Sequence, residues 1–399
     1  MRNKVKPFIL VVCCILAAVC LFLVKSGKEK QDFTYPCDFT MPDEFELPGS
    51  RLVAVGTATH GNAEPFVATL DILKRMYEKH DSVAFLLEEN AGEAEIINAQ
   101  HSYSGDQSQY AGMYAVYGNQ EMEDILRWLE EKDLRFYGID IQDISATVDI
   151  LSVNLEELGF PEPEKVLSLR TTNQKEKDEN SLYLDTISHF IEDCYTRGVS
   201  SAQEHSYLLH LLDCIRMHDT YVLSGEQFAH RDEMMAKNVQ WVMEYEREFY
   251  GNDYAVLSAH IGHAMKCPWY SSFTKENYYP MGTALAETFG ADYYVIATDA
   301  AENYFEAMSN PDGWTRKKVF HISKKSLPEF LTGEETQYLP GEELPESGVS
   351  DWPMTNVGAV FGLANSLNRK TYEISVPIKE CCNALMFCPR MTPVHSMEN

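Results

Sequence analysis

The side chains able to do acid–base chemistry in this sequence stand at the ends of short apolar runs. His60 lies in GTATHG (56–61), directly after Leu52–Gly56 (LVAVG). Glu88 and Glu89 follow Val83–Leu87 (VAFLL), and Asp140 follows Leu134–Ile139 within RFYGIDIQ. His260 and His263 follow Tyr254–Ser258 (YAVLS) within SAHIGHA. Imidazole is the side chain best suited to take a proton from water near neutral pH. A carboxylate beside it fixes the tautomer and stabilises the imidazolium; Glu88, Glu89 and Asp140 are the candidates. His260 or His263 can then give a proton to a leaving group. His260-x-x-His263, with His60 and Glu88, is also compatible with a metal. That spacing is not the helical His-Glu-x-x-His pattern and it falls in a turn, so water–histidine chemistry without a metal or other cofactor is the preferred reading. Gly-x-Ser-x-Gly is absent, which disfavours the usual serine hydrolase. A P-loop, a dinucleotide glycine fingerprint and an EF-hand loop are absent too.

These residues need a scaffold that brings them to one place. The apolar runs read as buried strands, joined by Tyr293–Ala297 (YYVIA) as a fifth. Between them, Pro65–His80 carries Phe66, Leu70, Leu73 and Tyr77 at helical spacing, and Glu121–Lys132 puts Ile125, Leu126 and Leu129 on one face. Leu285–Phe289 closes a further helix stopped by Gly290. The alternation predicts an α/β fold with a mostly parallel central sheet and flanking helices. A long helical block, about 143–250, interrupts it as an insertion; its best helices are Leu182–Tyr195, His205–Val222 and Gln227–Phe249. Ser326–Pro353, rich in Glu, Pro and Gly, reads as a surface loop or lid, and Thr371–Pro377 alternates like a late strand. In an open parallel sheet ligands bind beyond the carboxyl ends of the strands. Four successive strands therefore deliver titratable groups to one edge. Within GTATHG, Gly56 and Gly61 are expected to permit a tight strand-to-helix turn, Thr59 or Asn62 to cap the next helix, and Glu64 to suit its first turn.

Composition limits the rest. With 45% hydrophobic residues the 399-residue chain can bury a sizeable core, so it is not a disordered chain. A net charge of -28 repels phosphate backbones and argues against nucleic-acid partners. Residues 1–30 stand apart: Arg2, Lys4 and Lys6 precede an uncharged apolar run from Phe8 to Val24. No clean small-x-small cleavage site follows it. The expectation is an uncleaved single-pass anchor with the domain 31–399 outside the membrane, or a secreted domain if the segment is cleaved. Seven of the ten cysteines lie beyond the segment and no CxxC occurs, which excludes a zinc ribbon. The expectation for them is buried thiols with one C-terminal pair.

The ordered motifs resemble one family. GTATHG is similar to the Gly-Glu-x-Thr/Ser-His motif of erythromycin esterase-like proteins, a group that includes succinoglycan biosynthesis-type proteins. RFYGIDIQ is similar to their Tyr/Phe-Gly-x-Asp segment, and RDEMMAKN (231–238) to their Arg-Asp-x-x-Met-Ala-x-Asn helix. SAHIGHA and YYPMGTALAETFGADYYVIATD (278–299) resemble two further family segments. The motifs run in family order over about residues 45–300. The resemblance implies an α/β core with a helical subdomain and a deep cleft. It implies hydrolysis of a small-molecule ester or lactone by histidine-activated water, without an acyl-enzyme, and links the chain to antibiotic resistance as a family property. Carried over by position, His60 is the general base, Glu88 supports it (Glu89 in the alternative register), and Arg231, His260 and His263 complete the catalytic set. Thr57, Glu89, Asp140 and Asp232 fall at substrate-binding positions. Two departures stand out: Thr57 replaces the motif acid, and Ile261 replaces Asn between the two histidines. The competing readings are a non-catalytic binding relative and a metal-dependent hydrolase.

Overall fold

The structure is a computed structural model that describes residues 33–100, 115–170, 177–224, 227–271, 275–309, 317–324, 331, 333–344 and 352–397. Residues 37–399 form one folding unit. The segment 1–30, read as an anchor, lies outside the described residues. Among the described residues no helix is long and apolar enough to cross a membrane.

Strand β1 (Leu52–Thr57) is buried at every position, as expected of an apolar run covered on both faces. Helix α1 (Ala63–His80) follows, with Glu64 in its first turn and Lys79 and His80 in its last, complementing the helix dipole. Next come β2 (Ala84–Asn90), α2 (Ala91–Gln100), α3 (Gln120–Glu131) and β3 (Phe136–Asp140). The long helices between β3 and the next strand are α4 (Ser145–Glu157), α5 (Lys177–Thr196), α6 (Ala202–Leu223) and α7 (Gln227–Tyr250). A capping box between Ser201 and Glu204 starts α6. Strand β4 (Ala255–His260), the single-turn α8 (Ile261–Ala264), the hairpin β5 (Trp269–Ser271) and β6 (Glu276–Tyr278), and α9 (Met281–Phe289) come next. Strand β7 runs Tyr293–Ser309, far beyond the five residues expected.

The main sheet has the order β3-β2-β4-β1-β7, with β1, β2, β3, β4 and β7 all parallel. It continues through two C-terminal strands. One is Ala384–Met391, parallel to β7; the other is Gln337–Pro340, antiparallel to Ala384–Met391. That last strand lies inside Ser326–Pro353, so the segment read as a surface loop or lid contributes to the central sheet. Charged flanks concealed it: the four-residue run QYLP sits among Glu334, Glu335, Glu342 and Glu343. The late strand expected at Thr371–Pro377 is present as Glu373–Val376, but it pairs with Trp352–Thr355 in a separate two-stranded sheet.

Strand parity separates two cores. Leu52, Ala54, Leu86 and Leu257 pack with Met235, Val239 and Val242 of α7 on one face. Val53, Val55, Phe85, Leu87 and Val256 pack with Phe66, Ile72 and Leu73 of α1 on the other. A third core, including Val148, Leu151, Ile187, Leu208 and Leu211, holds α4, α5 and α6 together. Helix α7 therefore belongs to the sheet, and its first turns lie across the strand ends. Cys267 and Cys381 form a disulfide; Cys194, Cys214, Cys382 and Cys388 are buried thiols, and Cys37 is a partly buried one.

Candidate active site

The turn that carries His60 is shaped by close approach. Neither Gly56 nor Gly61 has a positive φ. A Cβ on Gly56 would sit 2.4 Å from Ile261 Cδ1, and one on Gly61 would sit 1.8 Å from the Glu306 carbonyl oxygen. The two glycines thus give up a side chain to let α8 and β7 press against the turn, rather than supplying an unusual backbone angle. The expected cap also differs. Asn62 occupies the N-cap position of α1, but its side chain makes no cap hydrogen bond. Its amide donates instead to Asn303 Oδ1 (2.8 Å) and the Tyr304 carbonyl (2.8 Å), while Thr59 Oγ1 donates to Asn62 Oδ1 (2.6 Å). The turn is fastened to β7, which fixes where His60 stands.

Arg231 organises the opposite side. From α7, its Nε donates to Asp140 Oδ1 (2.9 Å), and its Nη2 donates to Asp140 Oδ2 (2.6 Å) and Glu88 Oε1 (2.8 Å). Its Nη1 faces His263 Nε2 at 3.1 Å. Glu88 Oε2 accepts the backbone N–H of His260 (2.9 Å), tying β2 to β4. On the other edge of His263, Nδ1 lies 2.9 Å from Asp232 Oδ1. Asp232 is held by the Tyr278 hydroxyl and by the Met281 backbone N–H (2.7 Å). Such a carboxylate fixes the His263 tautomer with its proton on Nδ1. Nε2 is then a lone pair, and the Arg231 Nη1 contact is the bond it must exchange to become protonated.

The third imidazole is set by its own helix. His260 is the N-cap of α8, and its Nδ1 accepts the Gly262 N–H (3.2 Å). The ring proton therefore sits on Nε2, which makes no well-formed hydrogen bond among the described residues, although the Ala58 carbonyl is near enough to favour the protonated ring. The His60 ring stands 5.1 Å from the His260 ring and 6.1 Å from the ring of Tyr117.

These environments separate the three histidines. Burial lowers the His60 pKa, reinforced by His263 and Arg231 against Glu88, so its imidazole is neutral and basic in function. Burial also lowers His260, to about 3, with His60 adding to the effect. For His263 burial acts downward, but Asp232 and Glu88 override it and the net shift is upward. Burial alone would raise the Glu88 carboxyl; the field of His263, His60 and Arg231 holds it well below the usual carboxylate range. Burial keeps the phenols of Tyr117 and Tyr278 protonated.

The structure brings His60, Glu88, Asp140, Arg231, Asp232, His260 and His263 to one sheet edge. It divides the two glutamates: Glu88 enters the Arg231 network, whereas Glu89 accepts the backbone N–H of Asn90 (2.8 Å) beside the start of α2. Glu88 makes no hydrogen bond to His60 among the described residues. Its oxygens are taken by Arg231 and the His260 backbone, so the support expected for His60 acts through space. Thr57 is buried opposite His260 in the β1–β4 register, and its hydroxyl has no partner among the described residues. Tyr117 and Tyr278 complete the surroundings and were not anticipated. Tyr278 lies in the recognised YYPMG segment, but a tyrosine there has no spacing that announces a contact with Asp232. Among the described residues no group of three or more His, Cys, Asp or Glu side chains is arranged to hold a metal.

The family described as Erythromycin esterase matches residues 77–338, well over half of the sequence. The chain belongs to the erythromycin esterase family. The match contains Glu88, Asp140, Arg231, Asp232, His260 and His263; His60 and Thr57 lie before it. Solved structures share the fold at low identity. A Bacillus cereus protein is 18% identical, with a TM-score of 0.71, over 88% of this chain and 91% of its own. A succinoglycan biosynthesis protein is 15% identical, with a TM-score of 0.69, over 87% of this chain and 90% of its own. A mutant of the erythromycin esterase EreC in its open conformation is 16% identical, with a TM-score of 0.62, over 88% of this chain and 94% of its own. No curated protein matches significantly. Family membership supports a hydrolase-like function.

Proposed function

We propose that the protein hydrolyses an ester or lactone by histidine-activated water, without a metal or an acyl-enzyme. One observation carries the reading: His60 and His263 flank the Glu88–Arg231 pair, with their basicities pushed in opposite directions. Titratable groups driven apart in this way divide into base and acid. His60 takes a proton from water as the oxygen attacks the carbonyl carbon. The Arg231 guanidinium stabilises the negative charge that develops on the carbonyl oxygen. His263, made more basic by Asp232 and Glu88, carries a proton on Nε2 to the leaving alkoxide. The domain works outside the cytoplasm in this reading, tethered or secreted through residues 1–30; the Cys267–Cys381 disulfide supports an oxidising compartment.

The test is hydrolysis of a panel of activated esters, lactones and macrolides by the full chain and by His60→Ala. We expect the variant to lose about 10²–10⁴-fold in kcat, the range of general acid–base catalysis. Undiminished hydrolysis by folded His60→Ala would remove His60 from the mechanism. A second reading, ligand binding without turnover, is favoured by the missing carboxylate at position 57 and by the absence of a hydrogen-bonded carboxylate on His60 among the described residues. Thr57→Glu separates the two: a latent hydrolase gains rate and a binding protein does not.

A further inference from the structure

Three buried polar atoms at the end of β1 have no hydrogen-bond partner among the described residues: Thr57 Oγ1, His260 Nε2 and Asn356 Oδ1. Thr57 is 3% exposed and His260 6%. Buried polar groups are paired in folded proteins, because leaving one unpaired costs its full desolvation penalty. Three orphans in one place call for a common partner.

They do share a place. Thr57 pairs with His260 across β1 and β4. Strand parity puts both on the face of Val53, Val55 and Val256, the face His60 also approaches. Asn356 arrives from the C-terminal third: the Val357 N–H donates to the Ala58 carbonyl (3.0 Å), laying this segment along the end of β1. Asn356 Oδ1 and His260 Nδ1 each lie 3.0 Å from the position a Cβ on Gly262 would take, so the carboxamide and the imidazole flank the same notch. The chemistry of the three atoms is complementary. Asn356 Oδ1 only accepts, His260 Nε2–H only donates, and the Thr57 hydroxyl does either. A carboxylate cannot satisfy an acceptor and an ammonium cannot satisfy a donor. A neutral hydroxyl, with one proton and two lone pairs, satisfies all three.

We propose that Thr57, His260 and Asn356 form a neutral subsite that binds a hydroxyl group beside His60, and that Asn356 is a positioning residue for the reaction. The inference rests on the hydrolase reading for its kinetic consequence only. The subsite occupies the position where the family motif has an acid. Here a threonine hydroxyl and a carboxamide from outside the matched segment 77–338 provide the polar contacts instead. The hydroxyl belongs to the substrate: a water giving its protons to His60 and Asn356 while accepting from His260 and Thr57 would have no lone pair left to attack the carbonyl.

The test uses Thr57→Val and Asn356→Leu in the full chain, each removing one polar group at nearly constant volume. With p-nitrophenyl butyrate and a hydroxylated ester as probes, each variant is expected to lose at least about tenfold in kcat/KM on the hydroxylated ester and less than about twofold on p-nitrophenyl butyrate, and the double variant little more than the worse single one. An equal loss on both probes overturns the substrate-hydroxyl subsite. A rise in KM confined to the hydroxylated ester identifies a substrate hydroxyl. In parallel, ¹⁵N-histidine NMR reads the His260 Nε2 proton, which is expected to shift and exchange faster in both variants. Kinetics within twofold of the parent together with an unmoved His260 signal overturns the subsite. If the parent hydrolyses none of the panel, the hydrolase reading has failed and the NMR arm decides the subsite alone: movement in both variants supports it, no movement ends it. Asn356→Ser replaces the leucine variant if that one does not fold.

Discussion

The two sides of the site are built on opposite principles. On the α7 side the polar groups close on one another: Arg231 binds Asp140 and Glu88, and Asp232 holds His263 while receiving Tyr278 and the Met281 N–H. On the β1 side Thr57, His260 and Asn356 each present a buried atom with no partner among the described residues. The paired side is a rigid electrostatic frame whose dipoles are oriented before anything binds. The unpaired side is where a bound molecule must supply the missing hydrogen bonds. Paired charges on one side and unpaired polar atoms on the other divide the site into a structural half and a binding half.

The sharpest way to break this contrast is to unpair the frame. Arg231→Met leaves Glu88 and Asp140 buried without their cation, and breaking a buried ion pair from one side costs about 3–5 kcal/mol. Urea denaturation is expected to show a loss of that size, and a loss below about 1 kcal/mol would mean the frame is not structural. Asp232→Asn acts next, on chemistry more than on folding. It removes the charge that raises the His263 pKa, so the acid deprotonates at lower pH. The alkaline limb of the kcat profile should move to lower pH, with about 10²-fold less activity at neutral pH. An unmoved limb would take His263 out of the acid role. Tyr278→Phe removes one hydrogen bond to Asp232 and should cost about 1 kcal/mol, a rate loss of about fivefold; an unchanged rate would make that hydroxyl a bystander.

A pH-dependent effect belongs to the under-paired side. Glu64, at the start of α1 behind the His60 turn, has one carboxylate oxygen without a partner among the described residues, and burial raises its pKa from 4.5 to about 7. The folded chain therefore binds a proton there that the unfolded chain releases. The resulting stability is fully present below pH 4.5 and is lost as pH rises through about 7. The melting temperature of the parent should fall across that window relative to Glu64→Gln. Parallel curves would show that the Glu64 carboxyl is not held protonated.

Much of this was legible before the fold was known, and the limits of legibility are physical. His60, Glu88, Asp140 and His260 declare themselves because a buried parallel strand is a local apolar run, and whatever follows it lies at the sheet's carboxyl edge. Arg231 and Asp232 do not: on a long amphipathic helix an Arg-Asp pair is indistinguishable from a solvated one, and only the family resemblance singled it out. Glu88 and Glu89 are equivalent as letters; the side each faces depends on strand register. The strand at Gln337–Pro340 was hidden because its pairing with Ala384–Met391 is a tertiary fact with little local apolar signal.

The sequence by itself determined the α/β alternation, the family and the set of strand-end groups, since these follow from periodicity and local chemistry. Tertiary structure alone decided the wiring. It gave Glu88 to Arg231 and the His260 backbone rather than to His60, made Asp232 the partner of His263, and brought Asn356 to the end of β1. Arg231 and Asp140 meet across 91 residues of sequence, and hydrogen bonds at that separation are fixed by how helices and strands pack, not by the spacing of residues along the chain.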